Sequence, residues 1–241
     1  MTVKADARLN AERRFYSGMA IFMILIVLIG FGPSFYLRGL VHVPRPNPTL
    51  SPLVMLHGAM FTIWMLIFLA QVGLVAAGRR DVHMKLGVVG IGLAVALIPL
   101  MYFTAVGQVA RANQPPFATP IAWTAVPLFD IPVFALLIWL GWRYRRVAQA
   151  HKRLMLCAAL IMMDPAIGRF PLPPSFAMQC ALSALAWATF VPLFMWDRKT
   201  LGKLHWATKT GALLFATGLV IRMFALASPA WAAFAMHLPG V

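Results

Sequence analysis

Apolar residues fill long unbroken runs along this chain, and polar residues collect in the short stretches between them. Seven runs read as membrane-crossing helices, at 15–37, 52–77, 86–110, 121–142, 154–170, 176–196 and 211–228, because about 20 mainly apolar residues match the thickness of a bilayer's hydrocarbon. The fifth run is short and Arg222 interrupts the last, so six or eight spans are the alternatives. The connectors hold Pro and charge, as in Val43-Pro44-Arg45-Pro46-Asn47-Pro48, Pro115-Pro116 and Pro171-Leu172-Pro173-Pro174, the residues that punctuate helices. None is long enough for a soluble domain; the longest run to about 14 residues. The pattern predicts an all-α polytopic transmembrane helix bundle of about seven spans. A basic segment over 1–14 precedes a membrane domain over 15–228, and a short tail follows over 229–241, with Trp231 to His237 as an interfacial helix.

Composition closes off other classes. The chain of 241 residues is 61% hydrophobic and 11% charged, whereas a soluble domain is about a quarter charged. A soluble enzyme, a nucleic-acid-binding module and a disordered chain are excluded.

Charge gives the orientation. Lys and Arg number 21 against six Asp and Glu, for a net charge of +15. The basic residues cluster in 1–14, 79–85, 143–153 and 198–209, while Arg38, Arg45, Arg111 and Arg169 fall in the alternate connectors. Positive charge accumulates on the cytoplasmic side. The expectation is therefore N-in and C-out in a bacterial inner membrane, with the first span retained rather than cleaved. The partners expected are the bilayer and, at the cytoplasmic face, anionic lipids. Nucleic acid is not among them. Cys157 and Cys180 belong to different spans at different depths and are expected as free, buried thiols.

Three basic turns share a form, with arginines followed by a histidine at the start of a helix: Arg79-Arg80 with His83, Arg145-Arg146 with His151, and Arg198 with His205. Repeated hairpins or simple loop chemistry both account for it. Small residues four apart mark close helix contacts, namely Ala177, Ala181, Ala184 and Ala188 in the sixth run, and Gly90 with Ala94 and Gly92 with Ala96 in the third.

Ionisable groups in hydrocarbon are costly and face the bundle interior. Of the acids, Asp6, Glu12, Asp81 and Asp197 lie in cytoplasmic segments, and Asp130 and Asp164 lie within spans. Arg222 is the basic residue deep in a span. At about 1.5 Å of rise per residue, His57, Tyr102, Asp164 and Arg222 fall in the outer half and Asp130 near the midplane. Asp164 matches Arg222 best in depth. The pair is either a structural clamp or part of an outer pocket, formed by His57, Tyr102, Asp130, Asp164 and Arg222 with Arg169 at its rim, for a small ligand, proton or ion. Pro165 frees the carbonyl of Ile161, which could line such a pocket. His57, Phe61, Trp64, Phe68 and Gln71 share one face of the second span, a spacing typical of packing. His83, His151 and His205 lie at similar depth at the inner face; they could ligate a metal ion or haem b, or simply be solvated.

Several segments resemble a family of uncharacterised bacterial multi-pass inner-membrane proteins. They are Arg14-Phe15-Tyr16-Ser17-Gly18-Met19, Gly30-Phe31-Gly32-Pro33-Ser34-Phe35-Tyr36-Leu37-Arg38, His57…Trp64…Gln71, His83-Met84-Lys85-Leu86-Gly87, His151-Lys152-Arg153-Leu154-Met155 and Pro165-Ala166-Ile167-Gly168-Arg169. The likeness runs from about residue 14 to 170. It implies membership without an activity. A looser similarity links the chain to cytochrome-b-type transmembrane ferric reductases, which hold two haems on histidine pairs. His57 has no second outer histidine, so only an inner site from His83, His151 and His205 remains. A retinal protein is excluded, because the lysine, Lys209, sits at the inner end of the last span. Serine-protease and aspartate-rich prenyl-transfer motifs do not occur. Three functions stand: a non-enzymatic accessory or structural membrane protein, small-ligand or proton binding and transport through an outward polar pocket, and a haem- or metal-binding redox protein.

Overall fold

A computed structural model describes residues 3–41 and 47–241, and all their regular structure is helical. Arg45 and the prolines beside it lie outside the described residues, as do the side chains of Lys4 and Asp6.

Helix α1 (Val3–Phe31) runs into a π-helical turn over Gly32–Tyr36. Pro33 has no N–H to give there, and the chain closes the turn by Leu37 N donating to Gly32 O at 2.7 Å. Tyr36 pins this end through its hydroxyl, 2.8 Å from Thr62 Oγ1. Helix α2 (Pro52–Ala76) starts at a Ser51 cap with Pro52 in its first turn, and Gly78 at φ 77° turns the chain after it. Then come α3 (Arg80–Arg111), the single turn α4 (Pro120–Trp123) capped by Thr119, and α5 (Ala125–Arg143). The same Ser/Thr-then-Pro start opens α11 (Pro229–Ala235), the short tail helix.

The fifth apolar run is broken. It forms α6 (Ala148–Leu160) and α7 (Met163–Ile167), with a turn at Ile161 and Met162. Pro165 removes the N–H that would bond Ile161 O. That carbonyl accepts from Asp164 N instead, at a long 3.4 Å. The sixth run likewise divides into α8 (Phe176–Ala188) and α9 (Val191–Leu201), since Pro192 cannot bond Ala188. Helix α10 (Trp206–Leu226) completes the bundle.

Six helical segments are long and apolar enough to cross a membrane: Ala7–Tyr36, Pro52–Ala76, Arg80–Arg111, Pro120–Arg143, Phe176–Leu201 and Trp206–Leu226. The chain is an all-helical protein with the make-up of a multi-pass membrane protein. Its outer surface carries large apolar side chains, among them Ile29 at 61%, Leu213 at 66% and Phe224 at 75% exposure, the surface that a lipid solvent would cover.

The broken α6–α7 segment is the hub. Helix α6 packs on α5 and α10, and α7 packs on α1 and α8. From Leu156 to Asp164 every residue is buried. The segment runs alongside α1. Lys152 meets Glu12 at 2.6 Å near one end, and Ala166 meets Gly30 near the other, where any Cβ on Gly30 would collide with the Ala166 carbonyl. Gly211 on α10 gives similar access to the Cys157 thiol. Cys157 and Cys180 are free; Cys157 is buried, but Cys180 is only partly so, with its thiol 3.9 Å from Met223 Sδ.

The expected small-residue face of the sixth run is reversed. Ala177, Ala181 and Ala184 face outward, and α8 buries Gln179, Leu182, Ser183 and Ala186 instead. In α3, Gly90 and Ala94 are buried, while Gly92 and Ala96 are exposed.

Candidate functional site

Arg222 is wholly buried, and three neighbouring helices supply its partners. Its Nη1 donates to both oxygens of Asp130 on α5, at 3.0 and 3.1 Å. Its Nη2 lies 2.7 Å from Asp164 Oδ2 on α7 and donates to Ser183 Oγ on α8 at 2.9 Å. Gln179, one turn earlier on α8, donates to the same hydroxyl at 3.4 Å. Side-chain exposure is 0% for Arg222, 13% for Asp130 and 5% for Asp164. One guanidinium thus holds two carboxylates, with its planar fork divided between them.

The group is incompletely satisfied. Asp164 Oδ1 and Arg222 Nε are both buried without a hydrogen-bond partner. A buried polar atom left unpaired costs about 1–3 kcal/mol and more when charged.

A second buried ion pair, toward the basic face, supplies the contrast. Arg153 on α6 donates from Nε to Asp197 Oδ1 on α9 at 2.8 Å. Its Nη1 donates to Gln149 O and Oε1 at 3.0 and 2.6 Å. Asp197 Oδ2 accepts from His205 N at 2.9 Å and from Thr208 Oγ1 at 2.7 Å. Exposure is 1% and 0%, and neither side chain has an unpaired buried atom. This is a closed structural joint between α6, α9 and the start of α10. The sequence counts both residues among the cytoplasmic charges and does not show that they are buried; the structure places them on α6 and α9, facing each other.

Of the expected outer pocket, Asp130, Asp164 and Arg222 come together. Asp130, expected near the midplane, contacts the same guanidinium as Asp164. Tyr102 is elsewhere; its hydroxyl donates to Pro239 O at 3.0 Å and holds the tail. Arg169 donates to Pro165 O and lies 4.2 Å over the Phe31 ring. His57 packs on Phe61 at 4.9 Å, with Nδ1 buried and unpaired. The remainder of its stripe, Phe61 and Trp64, packs on Phe134 of α5, and Gln71 Nε2 donates to His83 O at 3.1 Å. Ser183 and Gln179 escaped the sequence reading. A serine and a glutamine four apart on a membrane helix give no signal of which face they take.

The inner histidines do not form one site. His83 and His151 are neighbours, with ring centroids 6.2 Å apart and nearly perpendicular planes. His151 Nδ1 lies 2.9 Å from Gly141 O. His205 instead caps α10, its Nδ1 accepting from Ala207 N at 3.1 Å. Among the described residues no three His, Cys, Asp or Glu side chains are placed to hold one metal ion. The three inner histidines thus separate into a contact pair, His83 with His151, and a helix cap, His205.

The joined geometry is a buried ion group of two carboxylates, one guanidinium and one hydroxyl. Its chemistry stands on these contacts alone, since the chain matches no family model, no curated protein and no solved structure.

Proposed function

We propose that this chain is a non-enzymatic protein of the bacterial inner membrane that reversibly binds one proton at the Asp130–Arg222–Asp164 group. One observation carries the reading: two buried carboxylates share one guanidinium, and Asp164 Oδ1 has no partner. With both acids ionised the group holds a net charge of −1 in apolar surroundings, an expensive state. One proton on the carboxylate pair neutralises it and turns an orphaned acceptor into a donor. The Arg153–Asp197 pair, balanced and fully bonded, has no such use. Ser183 Oγ accepts from both Arg222 and Gln179 and so helps to hold the guanidinium against the two acids.

In this reading α6–α7 is a seventh crossing, sheltered from lipid by its neighbours. The N-terminus is cytoplasmic, the C-terminus is outside, and anionic lipids lie against the basic face. The protonated group acts as a sensor or as an accessory to a proton-coupled partner.

Infrared difference spectroscopy on protein in lipid nanodiscs tests this. Stepping pH across the neutral range should raise and remove a carboxylic C=O stretch, and Asp164→Asn or Asp130→Asn should abolish or shift it. A spectrum without any titrating carboxyl, in protein that is folded, reduces the group to a clamp.

A further inference from the structure

The opposite end of the molecule from the basic face carries a polar cavity of about 270 Å³ between the end of α1 and the end of α3. That is room for several waters at about 30 Å³ each. Arg38 and Arg111 both line it, with Ser34 and Asn47. Two guanidiniums facing one hollow repel each other unless an anion joins them. The chain offers none: its six acids are Asp6, Glu12, Asp81, Asp197 and the two that hold Arg222.

The donors are available. Arg111 Nε is buried with no partner. Arg38 spends one N–H on Phe35 O, at 3.0 Å, and a guanidinium has five. Asn47 is held in place by Asn113, whose Oδ1 accepts from Asn47 N at 2.8 Å and whose Nδ2 donates to Asn47 O at 2.6 Å. Its own Oδ1 accepts from Thr49 at 2.7 Å, which leaves the Nδ2 hydrogens for a ligand.

The rim is apolar. Leu37, Leu40 and Val41 are 47%, 86% and 40% exposed beside the arginines. Cationic donors within an apolar collar match a headgroup phosphate with acyl chains below it.

We propose that this cavity binds one phosphate group, with Arg38 and Arg111 as paired cationic donors. Arginine forks fit phosphate oxygens two at a time. The collar of leucines favours a phospholipid as the source, and free phosphate shares the chemistry. This site is separate from the buried ion group and does not depend on its reading.

The test uses the full chain in detergent, the Arg38→Gln/Arg111→Gln double variant, and Arg169→Gln, a cation that lies off both the cavity and the basic face, as control. Native mass spectrometry counts retained phosphatidylglycerol; thermal stability is followed with added inorganic phosphate. Wild type and R169Q should hold a lipid that the double variant loses by about ten-fold or more in affinity. Stabilisation of wild type and R169Q by inorganic phosphate, absent in the double variant, supports the site with free phosphate as its source. Equal binding of both probes by all three proteins overturns the proposal, and so does a loss that R169Q reproduces. If the double variant does not fold, R38Q alone, altering an exposed side chain, gives the same readings.

Discussion

At the scale of single residues, the two buried arginines are expected to behave alike in stability and differently in chemistry. Arg153→Leu leaves the Asp197 charge alone in the core, and Arg222→Leu leaves two carboxylates. Each should destabilise by about 3–5 kcal/mol, read as a lowered melting temperature in detergent. Asp164→Asn separates the two sites: it keeps a hydrogen-bonding group beside Arg222 and should cost far less, while changing the infrared titration described above. His205 gives a pH dependence. Burial lowers its proton affinity below the ordinary histidine value of 6.5. The folded chain therefore binds fewer protons there than the unfolded chain, so its contribution is complete above about pH 6.5 and declines as the solution is acidified. The cap itself needs a neutral Nδ1 to accept from Ala207 N. His205→Asn, an effective cap that does not titrate, should keep the neutral-pH melting temperature and flatten its fall in acid; an unchanged acid fall would assign that fall to other groups.

At the scale of elements, close approach decides more than hydrophobicity. Gly30→Leu should force α1 from α7 and destabilise by about 1–3 kcal/mol, because the Ala166 carbonyl occupies the space where a side chain would go. The same substitution at Gly18, with open space around it, should be silent. Span positions were legible in the sequence: the runs at 52–77, 86–110 and 121–142 appear as Pro52–Ala76, Arg80–Arg111 and Pro120–Arg143. Span faces were not. Lipid is as apolar as leucine, so nothing in the Ala177, Ala181, Ala184 pattern says whether it meets a helix or a tail. Asp130 lies close to the middle of the Pro120–Arg143 segment, and the length of the Arg222 side chain lets the two meet. Arg222 with Asp164 could be paired from scarcity alone. Arg153 and Asp197 could not, because a basic loop hides a buried arginine among exposed ones.

At the scale of the whole molecule, the number of crossings fixes where the ends lie. A buried, broken α6–α7 that crosses the bilayer puts the two termini on opposite sides. A fluorescent reporter that needs the cytoplasm should be bright at the N-terminus and dark at the C-terminus, and a phosphatase that needs the periplasm should show the reverse. Both ends on one side would leave α6–α7 as a re-entrant hub and six crossings around it.

The long reach of the Arg222 contacts bears on biosynthesis. Asp130 precedes its cation by 92 residues, and Asp164 also leaves the ribosome before it. The nascent chain must deliver both acids to the bilayer while their counter-charge is still untranslated. They enter as neutral carboxylic acids, or wait at the translocon's wet seam until α10 arrives. Release of α10 is then the step that locks the bundle, and chains truncated before residue 222 become substrates for membrane quality control.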